Sequence, residues 1–168
     1  MTPRPLTLHD LPGLLAVQLA CYGAGFVESA EVFARRLASP AQCSLVLDDG
    51  ARVGAYLAAY DSCLGKVTPL HGDFEAVDAP DTLYLHDMAV LPDLAGRGLA
   101  RALLEPLWRQ AGARGLRRSA LVSVQGSQGF WERQGYAVHT LADTLQRQRL
   151  AAYGEGAVYM VRALPGFG

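Results

Sequence analysis

VLPDLAGRGLARALLEPL, residues 90 to 107, is the stretch on which the fold turns. It holds a strand-like ending, a turn through Pro92 and Asp93, two glycines around Arg97, and then a helical run. Leu99, Ala102, Leu103, Leu107 and Ala111 recur on one side of that run at helical spacing. Pro106 sits inside it and predicts a bend or a loosened turn. Gly96 and Gly98 permit backbone angles that other residues resist. A bare turn at the mouth of a helix has two readings. It is a tight turn and nothing more, or it is a seat where unpaired first-turn amides and the helix dipole attract phosphate oxygens.

The text on either side separates the nucleotide alternatives. The dinucleotide pattern Gly-x-Gly-x-x-Gly fails, because Arg101 stands where the third glycine belongs. The Walker pattern fails too, because no Gly-Lys pair followed by Ser or Thr occurs anywhere in the chain. ATP and NAD are therefore disfavoured.

Just upstream, TLYLHDMAV (82 to 90) reads as the strongest strand. It is apolar almost throughout, as central strands covered on both faces are. It also carries His86 and Asp87 side by side, and ionisable groups buried without partners are costly. Alternation along a strand predicts that the two point to opposite faces. Downstream, SALVSV (119 to 124) reads as a strand, FWERQ as a helix closed by Gly135, YAVHTL (136 to 141) as a further strand and AVYMVRAL (157 to 164) as the last one. The polar segment DTLQRQRLAAYGEG has no clear pattern.

Towards the N-terminus, PLTL (5 to 8) reads as a short strand. HDLPGLLAVQLACY follows as a helix with Asp10 near its cap, and residues 28 to 38 as a second helix capped by Ser29. CSLVL (43 to 47) and RVGAYLAAY (52 to 60), joined by DDGA, predict an antiparallel hairpin. Residues 61 to 81 read as an irregular loop rich in Asp and Glu. That loop is either a solvated surface opposed only by Lys66 or an acidic rim for a cationic substrate. The order is mixed α/β, and the 168 residues predict one domain, 1–168, able to bury a real core.

Composition excludes several classes. The formal net charge is -1 at pH 7, and only Arg114 to Arg118 is locally basic, so no nucleic-acid surface is expected. Cys21, Cys43 and Cys63 form no metal-ligand or disulfide spacing, so no metal is expected and each reads as a small buried hydrophobe. Neither a signal peptide nor a membrane span is recognisable, which makes the cytoplasm the expected location. With no coiled-coil segment, a monomer or a homodimer is expected.

The chain resembles the GNAT family of N-acetyltransferases. The turn in that family reads Gln or Arg, two free positions, Gly, one free position, then Gly or Ala. Ala95 to Ala100 match it except that Ala95 replaces the first polar residue. VLP (Val90 to Pro92) matches the usual lead-in, and FWERQGY (Phe130 to Tyr136) resembles the later aromatic and glycine segment. The resemblance is strongest from 82 to 136. It implies a mixed, mostly antiparallel sheet splayed at its central strand, with helices on both faces. It implies acetyl-CoA as cosubstrate and a small-molecule or peptide amine as acceptor.

Site residues follow from the same resemblance. The backbone of Met88 and Val90 is expected to hold the pantetheine arm, and the amides of Gly96, Arg97, Gly98, Leu99 and Ala100 the pyrophosphate. Ser127 is expected to cap a short helix and touch phosphate. The Met88 amide is the candidate for stabilising developing negative charge on the thioester oxygen. His86 is the candidate proton acceptor, its alternative being a structural imidazole; Asp87 is the weaker candidate. Trp131 stands where relatives place an acidic tyrosine. The thiolate's proton is then expected from Tyr136, another tyrosine or water. Tyr22, Phe26 and Phe33 either line the acceptor pocket or pack the core. A longer acyl group and a non-catalytic coenzyme A-binding module are the alternatives.

Overall fold

A computed structural model describes residues 1–23 and 25–165. The chain runs β1 (Arg4–Pro5), α1 (Leu11–Tyr22), α2 (Ala30–Leu37), β2 (Leu45–Asp48), β3 (Val53–Ser62), β4 (Thr82–Val90), α3 (Leu99–Ala113), β5 (Arg118–Ser123), α4 (Gln128–Arg133), β6 (Ala137–Val138), α5 (Thr144–Ala151) and β7 (Val158–Ala163). Short 3-10 turns precede α1 and α3. The strands form one sheet in the order β1-β2-β3-β4-β5-β7-β6. Among these pairs only β4 and β5 run parallel, with α3 as their crossover.

Each face of the sheet has its own core. Leu103, Leu104, Leu107, Trp108 and Ala111 of α3 pack with Trp131 of α4 on Leu57, Leu83, Leu85 and Leu121. On the other face Leu11, Leu14 and Val17 of α1 and Phe33 of α2 pack on Tyr56, Tyr60, Tyr84 and Tyr159. The apolar run of β4 is long because both its faces are covered. The α3 helix runs unbroken through Pro106, which nonetheless leaves the Ala102 carbonyl without its usual i+4 amide partner.

Several sequence expectations are corrected. Only Arg4–Pro5 of the N-terminal stretch pairs as a strand. Beyond it the Thr7 amide donates to the Asp10 carboxylate (2.8 Å), which starts the first turn early. The polar segment near residue 144 is a helix. Asp143 caps it by accepting from the Gln146 amide (3.1 Å), and none of its residues is fully buried. It holds through polar bonds instead. Gln146 accepts from the Val67 amide (2.7 Å), Arg149 donates to the Val67 carbonyl (3.2 Å), and Tyr153 just beyond it donates to the Thr68 carbonyl (2.5 Å). The acids of residues 61 to 81 are opposed by more than Lys66. Asp61 pairs with Arg114 (2.7 Å), Asp73 with Arg35 (2.9 Å) and Asp81 with Arg118 (3.2 Å). Glu75 and Asp78 of the same stretch are exposed. The three cysteines are half-buried rather than buried.

Candidate active site

A bulge in β4 creates the site. Ala58 of β3 pairs with Asp87 and Ala59 with Leu85, so His86 is an extra residue with no partner opposite. The bulge reverses the alternation. Leu83 and Leu85 face the α3 side, and so do Met88 and Val90 beyond it. His86 and Asp87 both face the α1 side. His86 packs on Phe74 and Tyr84, and Asp87 accepts from the Tyr56 hydroxyl (2.5 Å). The expectation of opposite faces is thereby corrected.

The bulge also opens the sheet. Pairing of β4 with β5 stops at Leu85 and Leu121, while β5 continues against β7 and β4 continues against β3. A cleft of about 260 Å³ opens between the parted strands, bordered by Tyr22, His86, Asp87, Met88, Ser127, Phe130 and Trp131. The Leu91 amide turns back to Gly54 on β3 (2.9 Å), so Met88 and Val90 present their polar groups to the opening. There Tyr22 donates to the Met88 carbonyl (2.6 Å), and the Cys21 thiol donates to the Val90 carbonyl (3.1 Å).

The glycine turn lies beyond the open end. Gly96 has φ 80° and Gly98, the residue that begins α3, has φ 76°. A Cβ at either position meets nothing within 4 Å, so the backbone angle and not crowding calls for glycine. The first-turn amides of α3 have no intrahelical acceptors. A second cavity, about 370 Å³, borders Val90, Gly96, Gly98, Leu99, Ala100 and Phe130. Phe130 borders both cavities, so turn and cleft are neighbours. Arg97 is exposed at the rim.

His86 and Asp87 have different surroundings. The His86 Nε2 lies 3.1 Å and 3.2 Å from the two oxygens of Glu28, while its Nδ1 is buried with no partner. Arg36 grips the same carboxylate with two bonds (2.8 and 2.6 Å), and the His71 amide adds a third (2.7 Å). Burial pushes the Glu28 carboxyl up, but the bonds from Arg36 and His86 outweigh it and hold the group well below the usual carboxylate range. Burial raises Asp87 against the lowering effect of the Tyr56 hydrogen bond. Burial likewise raises the Tyr22 phenol, and the nearby Asp87 charge adds to it.

A third, small cavity of about 50 Å³ meets the cleft at Tyr22, His86 and Asp87. Phe26, Glu28, Leu70 and Tyr153 enclose its far side. Phe26 and Tyr153 stack there with centroids 6.5 Å apart. Tyr22 and Phe26 therefore face the site, whereas Phe33 is a core residue packed edge-on to Tyr56.

Tyr136 is not brought to the cleft. Gly135, at φ 90°, turns the chain so that Tyr136 enters the core. Its hydroxyl accepts from the Trp108 indole (3.0 Å) and donates to Ser119 (2.7 Å). Burial pushes this phenol up to about 12. Trp131 does border the cleft. Ser127 borders it too, but its hydroxyl bonds Ser123 (2.8 Å) and the Val124 carbonyl (2.7 Å) and caps no amide. Sequence reasoning missed Glu28, Arg36 and Tyr153. Glu28 and Arg36 read as ordinary charges flanking a helix, and nothing local links them to a histidine 58 residues away.

Among the described residues no cluster of His, Cys, Asp and Glu is placed to hold a metal, and no helix is long and apolar enough to cross a membrane. The family profile described as Acetyltransferase (GNAT) family matches residues 14–136. No curated protein sequence matches the chain. Among solved structures, the ribosomal-protein-S18-alanine N-acetyltransferase from Escherichia coli superposes with TM-score 0.71 at 21% identity, over 99% of this chain and 96% of that one. The GphF GNAT-like decarboxylase in complex with isobutyryl-CoA gives TM-score 0.77 at 17% identity, over 97% and 99%. The N-acetylglutamate synthase from Neisseria gonorrhoeae, complexed with coenzyme A and N-acetyl-glutamate, gives TM-score 0.72 at 17% identity, over 97% of this chain and 35% of that one. At these identities the likeness is one of fold.

Proposed function

The chain belongs to the acetyltransferase (GNAT) family, and on that premise we propose that it moves the acetyl group of acetyl-CoA to a primary amine by direct attack on the thioester. The observation that carries this reading is the opened edge of β4. It lies between a glycine turn able to seat phosphate and a buried imidazole nitrogen with no partner. The coenzyme A and acyl-CoA complexes of its structural neighbours support the choice of cosubstrate.

Acetyl-CoA, when bound, supplies an activated acetyl thioester. The residues of the chain do the rest. Amides of Gly96, Arg97, Gly98, Leu99 and Ala100 hold the pyrophosphate, and the edge groups of Met88 and Val90 align the pantetheine arm. The Met88 amide lies on that same edge and stabilises negative charge on the carbonyl oxygen. The small cavity beside Phe26 and Tyr153 admits the amine. His86 Nδ1 takes the amine's proton directly or through one water. Asp87 is tied to Tyr56 and is assigned no proton transfer. The C–S bond breaks and coenzyme A leaves as the thiolate, which takes its proton from water, because the Tyr136 hydroxyl is spent inside the core.

The test is acetyl-CoA turnover against pooled small primary amines and peptides, with mass identification of the product. An acetylated amine is expected. Coenzyme A binding without any transfer points instead to a sensor module, and no binding at all removes the proposal. The His86→Ala variant should lose on the order of 100-fold or more in kcat while acetyl-CoA affinity, read by calorimetry, is retained.

A further inference from the structure

Glu28 has no role in the reaction above, yet it is among the most confined charges in the molecule. The side chains of Glu28, Arg36 and His86 are 1%, 2% and 2% exposed. We propose that Glu28 is the positioning residue for His86: its carboxylate, clamped by Arg36, fixes the imidazole with the proton on Nε2 and leaves Nδ1 as the nitrogen offered to the acceptor. This inference rests on the reading of His86 as proton acceptor.

The geometry allows one tautomer of the neutral imidazole. An ionised carboxylate only accepts hydrogen bonds, so the nitrogen facing it must carry the hydrogen. Both Glu28 oxygens lie within 3.2 Å of Nε2. Arg36 and the His71 amide donate to the same carboxylate and keep it ionised. In a neutral imidazole the remaining nitrogen is then a lone-pair acceptor. That nitrogen is Nδ1, which is buried and lacks a protein partner. His86 borders both the cleft and the small cavity, so its free ring nitrogen is available to an acceptor held there.

The surroundings hold the pair rigid. Gln18 bonds both backbone groups of Glu28 (2.9 and 3.0 Å). Arg36 donates through Nε to the Gly72 carbonyl (2.9 Å) and lies over the Phe33 and Phe74 rings. When Nδ1 takes a proton, Nε2–H still faces the Glu28 carboxylate. Glu28 takes no proton itself, since its oxygens are already saturated with donors.

Long-range 1H–15N spectra of the full-length protein, labelled at histidine, read the tautomer without substrate. Neutral His86 is expected to be protonated on Nε2 alone, and the opposite tautomer overturns the proposal. Glu28→Gln adds a second readout. Its His86 should populate both tautomers, and transfer from acetyl-CoA to the amine pool should lose on the order of 100-fold in kcat with the acetyl-CoA KM within about twofold. An unchanged tautomer with unchanged turnover overturns the proposal as well. Should this variant fail to fold, the wild-type spectrum alone decides. Full activity in His86→Ala would remove the proton-acceptor reading but leave the tautomer result to be judged separately.

Discussion

At the scale of single residues, the chemistry depends on which buried charges have partners. Glu28, Arg36 and His86 form a closed set in which only one nitrogen is left over. The same set predicts how stability responds to acid. The folded Glu28 carboxyl lies below its unfolded value of about 4.3, so its contribution is fully present above that pH. The contribution is lost as pH falls through the folded value. Asp10, held down chiefly by Arg4, acts in the same direction. Asp87, raised by burial, acts oppositely: its share is present below an unfolded value of about 3.9 and fades as pH rises. Glu28→Gln leaves Arg36 buried without its anion, a loss of about 3–5 kcal/mol near neutrality. Melting temperatures of the two proteins should converge as pH drops below about 4; a gap constant across pH contradicts the assignment.

At the scale of elements, one extra residue in β4 and two left-handed glycines shape the site. The bulge at His86 parts β4 from β5, and the turn before α3 borders a cavity that shares Phe130 with that gap. Gly98→Asp tests the turn. It forces a side chain into a backbone angle of φ 76° and places a negative charge where phosphate is expected. Acetyl-CoA affinity should be abolished while circular dichroism stays native; unaltered affinity rules the seat out. The turn was legible as text because its two glycines stand one residue apart. The bulge was not, since TLYLHDMAV reads as a regular strand and the register shift exists only against Ala58 and Ala59 of β3.

At the scale of the whole molecule, the sheet separates two cores, and the catalytic candidates sit where the sheet is parted between them. Tyr136 lies in the α3-side core and joins Trp108 to Ser119. Tyr136→Phe strands both partners and should cost about 1–3 kcal/mol in urea unfolding, with kcat within about twofold of wild type. A large fall in kcat with no loss of stability returns Tyr136 to the active site. The α5 helix shows the limit of pattern reading at this scale. It lacks an apolar stripe, and its bonds from Gln146 and Arg149 run to Val67, roughly 80 residues away in sequence.

What the sequence determined by itself is local. The first two helices, the Ser29 cap, the hairpin and the glycine turn each follow from neighbours a few residues apart, where backbone preference and hydrophobic period act. The partners of His86, the face of Asp87, the burial of Tyr136 and the arginine partners of Asp61, Asp73 and Asp81 were decided only by the tertiary structure. Each depends on charges or strands brought together from distant parts of the chain, and no local pattern encodes which distant group will share a desolvated site.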